Sequence, residues 1–205
     1  MQKTTKQNSR IRFSEAQKER WRRALATRKK EIENGSARQK NEFLGVFLLA
    51  CPELAEQFPW EDLSGSGWSF LLSGRPEFAG RCPWDELTGE DWGNLLYFRP
   101  MFADKCDWEK LDGCAWGHLL QGQPRFAEKC PWEKLEGEDW RWLLEEQPRF
   151  AEKCPWEMLS GRNWSELLQV RPEFAGKCSW KKLSANDWSH LLKKRPEFRA
   201  RLREI

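Results

Sequence analysis

The chain has 205 residues and a net charge of +3, and its 14 tryptophans stand beside a single tyrosine. It contains no apolar run of the roughly 18 residues that a membrane span needs, and its basic N-terminus lacks the apolar core of a secretory signal. Its seven cysteines are too few and too regularly spaced for a disulfide framework, which indicates a reducing compartment.

Charge is distributed unevenly along the chain. Residues 1–40 contain thirteen Lys and Arg against four acids, whereas residues 41–205 contain twenty-two Lys and Arg against twenty-eight acids. The difference divides the chain into a basic head and a mildly acidic remainder, for which we expect separate roles.

The basic head is predicted to contain a disordered tail over residues 1–13 and a basic helix that begins near Ser14, where Ser14 and Gln17 form a capping-box pattern. A narrow apolar stripe runs along this helix. Its remaining surface is basic, with Arg20, Arg22, Arg23, Arg28, Lys29 and Lys30. Three interpretations are open: the stripe docks on the rest of the chain, residues 10–40 bind nucleic acid or another acidic partner, or the helix lies on a membrane surface.

A second helix is predicted from about residue 37 to residue 50. It carries Leu44, Phe47 and Leu48 where the repeats that follow carry a tryptophan and a pair of leucines. Because it is apolar on more than one face, it suits a position between two other elements. We interpret residues 14–50 as a basic helix followed by an N-terminal capping helix.

From residue 51 onward the chain repeats itself every 24 residues. Proline marks the start of each repeat at Pro52, Pro76, Pro100, Pro124, Pro148, Pro172 and Pro196. A fixed short period is typical of solenoids, in which each unit buries its apolar residues against its neighbours. We number positions 1–24 of each repeat from its proline. Six repeats are expected over residues 51–195, with a C-terminal capping helix over residues 196–205.

Each repeat is predicted to form a helix, a turn and a second helix. Positions 1–7 begin with proline and place Phe, Ala and Cys on one side of a short helix. Positions 8–12 form a tight helical turn. Position 13 caps a helix whose stripe is Trp at position 17 and Leu at positions 20 and 21, and the next proline ends it. The pattern does not alternate, which excludes the strand of a leucine-rich repeat. The predicted fold is an all-α solenoid of short helix–turn–helix repeats with an N-terminal helical cap.

Several recurring residues could indicate chemistry. The tryptophans at positions 9 and 17 could stack bases or sugars, but they are also the residues able to fill the core, and burial of each ring contributes roughly 2–3 kcal/mol. The cysteines at position 7 lack the close spacing of metal ligands, and we interpret them as small core residues. Helix dipoles explain the recurring charges at helix ends, with a ligand-binding ridge as the alternative. Cys114 falls at a surface position, where we expect a free, exposed thiol.

No catalytic constellation can be assembled from the sequence. The two histidines, His118 and His190, are three repeats apart, and no Ser-His-Asp set, glycine-rich phosphate loop or metal-spaced cluster is present. We therefore expect a protein that is not an enzyme and that uses no metal, cofactor or small-molecule substrate.

Positions that the period leaves free are the ones able to carry recognition. Positions 18, 19, 22 and 23 of the second helix vary most and are predicted to face outward, opposite the tryptophan–leucine stripe. Aromatic and arginine side chains are the types that anchor protein interfaces. The candidate partner-binding residues are Phe70, Tyr97, Phe98, Arg141 and Trp142.

The unit PxFAxxCxWxxLxGxxWxxLL, over residues 52–205, resembles tryptophan-rich tandem repeats of uncharacterised bacterial proteins. It is similar in kind to ankyrin and Sel1-like arrays but lacks their signature residues. The resemblance implies a cytoplasmic protein of bacterial or phage-related origin and brings no functional residues with it. We expect a scaffold-like module that binds another protein. The alternative is nucleic-acid binding by the basic head, and a third class is a purely structural spacer.

Overall fold

A computed structural model describes residues 60–203 and seven earlier residues, namely Ala16, Glu19, Arg23, Leu48, Leu49, Pro52 and Ala55. The chain divides into two compact units, Met1–Glu86 and Leu87–Ile205. The predicted tail over residues 1–13 lies outside the described residues, as does nearly all of the predicted basic and capping helices over residues 14–50. The five described residues of that segment all have helical backbone.

Helices build the described part of each repeat, and no strand occurs between residues 60 and 203. Each of the five repeats that the structure describes in full, over residues 76–195, has a 3-10 helix that starts at its proline, a short 3-10 turn that starts at the tryptophan of position 9, and a ten-residue α-helix over positions 14–23. We call the first two the proline helix and the tryptophan turn. Among the described helices, none is both long and apolar enough to cross a membrane.

The six described α-helices start 24 residues apart. They are α1 Gly65–Gly74, α2 Gly89–Phe98, α3 Gly113–Gly122, α4 Gly137–Glu146, α5 Gly161–Val170 and α6 Ala185–Lys194. The proline helices are Pro76–Arg81, Pro100–Lys105, Pro124–Lys129, Pro148–Lys153, Pro172–Lys177 and Pro196–Arg203. The tryptophan turns are Trp60–Asp62, Trp84–Glu86, Trp108–Lys110, Trp132–Lys134, Trp156–Met158 and Trp180–Lys182.

The ends of the α-helices are set by positions 13 and 24. At position 13 a side chain accepts a backbone N–H of the first turn, as in the reciprocal box between Thr88 and Asp91 and the one between Ser160 and Asn163. Position 24 has φ near −130° and ψ near 70°, as at Arg99. Steric contact with the following proline keeps that residue out of the helical region, so every α-helix stops after position 23.

The core of each repeat is made by positions 12, 17, 20 and 21. In the inner repeats the tryptophan of position 17 and the leucines are almost fully buried, as are Trp116, Leu119 and Leu120 of α3. The tryptophan of position 9 stacks on the tryptophan of position 17, as Trp132 does on Trp140 with ring centroids 5.4 Å apart. It also meets the phenylalanine of the next proline helix, at 5.3 Å for Phe150. The core interpretation is therefore confirmed for position 17, whereas position 9 is only half-buried.

Successive α-helices of the second unit pack side by side, from α2 on α3 to α5 on α6. Glycine at position 14 allows this approach: a Cβ at Gly137 would lie 2.6 Å from the carbonyl oxygen of Met158 in the next repeat. Side chains then join the repeats. Gln123 Nε2 donates to the carbonyl of Tyr97 at 2.8 Å, and Lys134 Nζ donates to that of Leu111 at 3.0 Å. The predicted all-α solenoid of helix–turn–helix repeats is confirmed.

Candidate functional site

Position 18 is buried in five of the six described α-helices, contrary to our expectation that it faces outward. Ser69, Gly93, Gly117, Arg141 and Ser165 are buried there, whereas Ser189 of α6 is exposed. In α5 the position faces the next α-helix, since Ser165 Oγ donates to the backbone carbonyl of Asp187 at 2.8 Å. Arg141 is only 7% exposed, so the assumption of an exposed side chain behind its selection as a partner-binding residue is wrong.

Arg141 is instead the centre of an ion-pair network between α4 and α5. Its Nη2 and Nη1 each lie 2.6 Å from a carboxylate oxygen, of Glu138 and Glu145 respectively. Its Nε lies 3.1 Å from Glu166 Oε2, at an angle that does not make a hydrogen bond. A buried guanidinium needs such partners, because an unpaired charge in this position would be strongly destabilising. The guanidinium also lies 5.1 Å from the centroid of the Trp142 ring and so fixes that ring from one side.

Positions 19 and 23 do carry exposed aromatic side chains. Phe98 is 60% exposed at the end of α2, and Trp142 is 42% exposed on α4. Phe70 is 50% exposed on α1, in the first unit. The repeat pattern tolerates polar side chains at both positions. Position 19, shared by Phe70 and Trp142, holds Asn94, His118 and Glu166 in other repeats, and position 23, that of Phe98, holds Glu146 and Lys194. Their exposure is therefore not required by the fold.

An aromatic strip runs across α2 and α3. Tyr97 meets Phe98 edge-on, with ring centroids 4.9 Å apart, and stacks on His118 of the next repeat at 4.8 Å. Gly122 makes room for this arrangement, since a Cβ at that position would lie 2.5 Å from Cδ2 of Tyr97. Tyr97 is half-buried as a result, whereas Phe98 remains open to solvent.

Beyond His118 the surface opens into a cavity of about 440 Å³ between α2, α3 and α4. His118 and Trp142 both line it, and so do four carboxylates: Glu90, Asp112, Glu145 and Glu146. Lys and Arg are absent from its lining. We call the surface formed by Tyr97, Phe98, His118, Trp142 and this cavity the α2–α4 face. It brings together three of the five predicted partner-binding residues.

The surroundings of His118 and Cys114, two titratable groups that line the cavity, shift their pKa values. Burial lowers the pKa of His118 and so favours its neutral imidazole, although the carboxylate of Glu90 opposes the shift. Cys114 is a free, exposed cysteine, as expected. Partial burial raises the pKa of its thiol, and the carboxylates of Asp139, Asp112 and Glu90 raise it further. Since the thiolate is the reactive form, Cys114 is less nucleophilic at neutral pH than an ordinary surface cysteine.

The recurring cysteines and charges outside this face have structural contacts. Burial raises the pKa of Cys130 and of Cys154 to about 12, as expected for thiols that serve as core residues. Position 24 bonds to the preceding repeat, where Arg171 Nε donates to the carbonyl of Glu145 at 2.8 Å. At position 6, Lys129 Nζ lies 5.2 Å from the centroid of the Trp108 ring. The charged side chains at these two positions therefore connect neighbouring repeats.

Of the six basic residues proposed for nucleic-acid binding, only Arg23 is described. It is exposed, and its Nε lies 3.3 Å from Glu19 Oε1, one helical turn earlier. Arg20, Arg22, Arg28, Lys29 and Lys30 lie outside the described residues.

Comparison with protein-family models, with curated proteins and with solved structures gives no match. The class of the molecule is therefore given by its own fold, a tryptophan-rich helical repeat protein.

The sequence did not single out His118, Glu90 or Asp112 as site residues. His118 lies at position 19, which the pattern predicts to face outward, but its stacking on Tyr97 depends on the distance between successive helices. Glu90 and Asp112 match the capping pattern at helix N-termini, which hides any second role. The sequence nonetheless contains one signal for this region. Position 15 changes from Glu90 to Cys114 in successive repeats, whereas positions 14 and 17 remain glycine and tryptophan in both.

Proposed function

We propose that this chain is a non-catalytic repeat protein that binds another protein through the α2–α4 face. The observation that carries the proposal is the exposed Trp142 ring on the wall of a concave surface. Its position accepts Asn94, His118 and Glu166 in other repeats, so the fold gives no reason for a tryptophan there.

The chemistry of the face supports a protein as the ligand. Tryptophan, tyrosine and phenylalanine are the side chains that most often anchor protein interfaces, and they do so best inside or beside pockets from which water can be excluded. Here Phe98 and Trp142 are exposed, and the cavity lies beside Trp142. Exposed aromatic rings in contact with water are unfavourable in the free protein, and covering them with a partner removes that cost.

The rigidity of the face also supports binding. Tyr97 is held by stacking on His118, and Trp142 by the paired guanidinium of Arg141. A surface that is already ordered loses little conformational entropy when a partner binds, so more of the contact energy appears as affinity.

A capture experiment tests the proposal. The full chain is immobilised and exposed to a lysate of the source organism, with and without nuclease, in parallel with its Trp142→Ala and Met158→Ala variants. Met158 is the matched control: it is an apolar side chain of similar exposure, 47%, but it lies in a tryptophan turn away from the cavity. We expect one or more proteins whose recovery survives nuclease, falls at least about tenfold with Trp142→Ala and is unchanged with Met158→Ala.

Two outcomes would overturn the proposal. The first is equal recovery by the chain and by Trp142→Ala. The second is recovery of nucleic acid alone, lost steeply as salt is raised, which would favour the basic residues 1–40 as the functional region. A purely structural spacer would retain nothing specific from the lysate.

A further inference from the structure

The charge of the α2–α4 face points to the chemistry of its partner. The cavity beside Trp142 is lined by Glu90, Asp112, Glu145 and Glu146, with no Lys or Arg among its lining residues. Arg141, whose guanidinium lies beside the Trp142 ring, is already paired with Glu138, Glu145 and Glu166. Burial lowers the pKa of His118, which disfavours a positive charge on its imidazole. The cavity is therefore negative and has an aromatic wall.

Building on the proposed function, we infer that this cavity receives an arginine-containing segment of the partner protein. A cation next to an aromatic ring and several carboxylates gains from both the ring quadrupole and the charge. Arginine fits this wall better than lysine, because its planar guanidinium can stack on an indole while donating hydrogen bonds to carboxylates at its edge. The same arrangement already occurs within the chain, where Arg141 lies 5.1 Å from the Trp142 ring centroid and pairs with two glutamates of its own helix.

The size of the cavity fits a short segment rather than one side chain. A volume of about 440 Å³ exceeds that of a single arginine side chain and leaves room for its neighbours in an extended peptide. The neighbouring aromatic strip of Tyr97 and Phe98 would then cover apolar residues next to the arginine. The inferred partner segment therefore contains an arginine with apolar residues close to it in sequence.

Fluorescence anisotropy with a short labelled peptide tests this inference on the full chain. The probe is a fluorescein-labelled Gly/Ser peptide with two arginines and one leucine, and the matched probe replaces both arginines with citrulline, which keeps the shape but removes the charge. We expect the arginine probe to bind at least about tenfold more tightly than the citrulline probe. Trp142→Ala should weaken binding of the arginine probe about tenfold, and Met158→Ala should leave it unchanged.

Two charge-neutralising variants distinguish binding of the arginine probe in the cavity from non-specific attraction to the acidic surface of the chain. Glu146→Gln removes a carboxylate that lines the cavity, whereas Glu152→Gln removes an exposed carboxylate from the proline helix Pro148–Lys153. Both change the net charge equally. We expect Glu146→Gln to weaken binding of the arginine probe by about threefold and Glu152→Gln to have no effect.

Several results would overturn the inference. Equal binding of the two probes, equal effects of Glu146→Gln and Glu152→Gln, or no effect of Trp142→Ala would each remove the cavity as an arginine site. Self-association of the full chain that Glu146→Gln abolishes would make a second copy the occupant instead. If the arginine probe fails while Trp142→Ala still abolishes capture of a lysate protein, the proposed function stands and only the assignment of arginine is wrong. If both experiments fail, both are wrong.

Discussion

Single glycines determine how closely the repeats of this protein stack. At position 14 of each inner repeat, the first residue of the α-helix lies against the backbone carbonyl of position 11 in the next repeat, as Gly161 does against Lys182. The last α-helix begins with Ala185 instead, and no further α-helix follows it in the described part of the chain. Glycine is therefore present at this position because of the neighbouring repeat and not because of the helix itself.

Replacing Gly161 with alanine should destabilise the protein by about 1–3 kcal/mol, since the new Cβ collides with a backbone atom that cannot move without shifting the next repeat. The matched control is Gly176→Ala. A Cβ there meets no atom within 4 Å, so the lower chain entropy of the unfolded state should leave stability unchanged or raise it by about 0.4–1 kcal/mol. Urea denaturation followed by circular dichroism measures both. Equal effects of the two substitutions would show that close stacking does not depend on position 14.

The residue pattern predicts which side chains form the core better than it predicts which side chains are exposed. Trp116, Leu119 and Leu120 could be assigned to the core from sequence, because helical spacing puts them on one stripe. Arg141 could not be placed from the same pattern. It follows Trp140 by about 100° around the helix, and a helix with neighbours on both sides buries its flanks as well as its stripe. The width of the covered sector depends on the packing of repeats, which a single repeat does not reveal.

At the level of elements, α4 and α5 are joined by charges that other helix pairs of the second unit do not use at this position. Glycine or serine occupies position 18 in α2, α3, α5 and α6, whereas α4 has Arg141. Its guanidinium lies within ion-pairing distance of two carboxylates on its own helix and one on α5. The ordinary repeat shows that a small side chain suffices for stacking, whereas in α4 the paired guanidinium also lies 5.1 Å from the centroid of the Trp142 ring.

Arg141→Ser should therefore destabilise the protein by about 1–3 kcal/mol, because it leaves Glu138 and Glu145 close together without their cation and removes one of the two arginines beside Glu166. Arg162→Ser is the matched control. It removes the same charge from beside the same Glu166, but Arg162 is exposed to solvent and pairs within a single helix, so little change is expected. Thermal unfolding of both variants and the unmodified chain distinguishes the two cases. A loss of stability as large for Arg162→Ser as for Arg141→Ser would contradict a special role for the buried network.

Capping was the feature of the elements that the sequence predicted best. The residues at position 13 and the acids or asparagine at position 16 identify helix starts by type alone, and Thr88 with Asp91 and Ser160 with Asn163 form the expected reciprocal bonds. The half-burial of the tryptophans at position 9 was not predictable in the same way. Trp132, for example, stacks on Trp140 of its own repeat and meets Phe150 of the next, so its exposure depends on contacts 8 and 18 residues away.

At the level of the whole molecule, periodic residues build the scaffold and the residues that depart from the period create the candidate site. The 24-residue period predicts the fold because each repeat meets the same neighbours. It cannot predict the α2–α4 face, whose cavity arises where Asn94, Ala115 and Gln121 leave space beside the larger Trp142. Such a cavity is a property of three successive repeats together, so only their relative positions reveal it.

We propose that the α2–α4 face, and not the scaffold, contacts a partner protein. Hydrogen exchange of the full chain, with and without a captured partner, tests this proposal most directly. Bound partner should slow amide exchange near the C-terminal halves of α2, α3 and α4, over residues 94–98, 118–122 and 142–146, and should leave the proline helices unchanged. Slower exchange confined to the proline helices or to residues 10–40, with none on the α2–α4 face, would contradict the account.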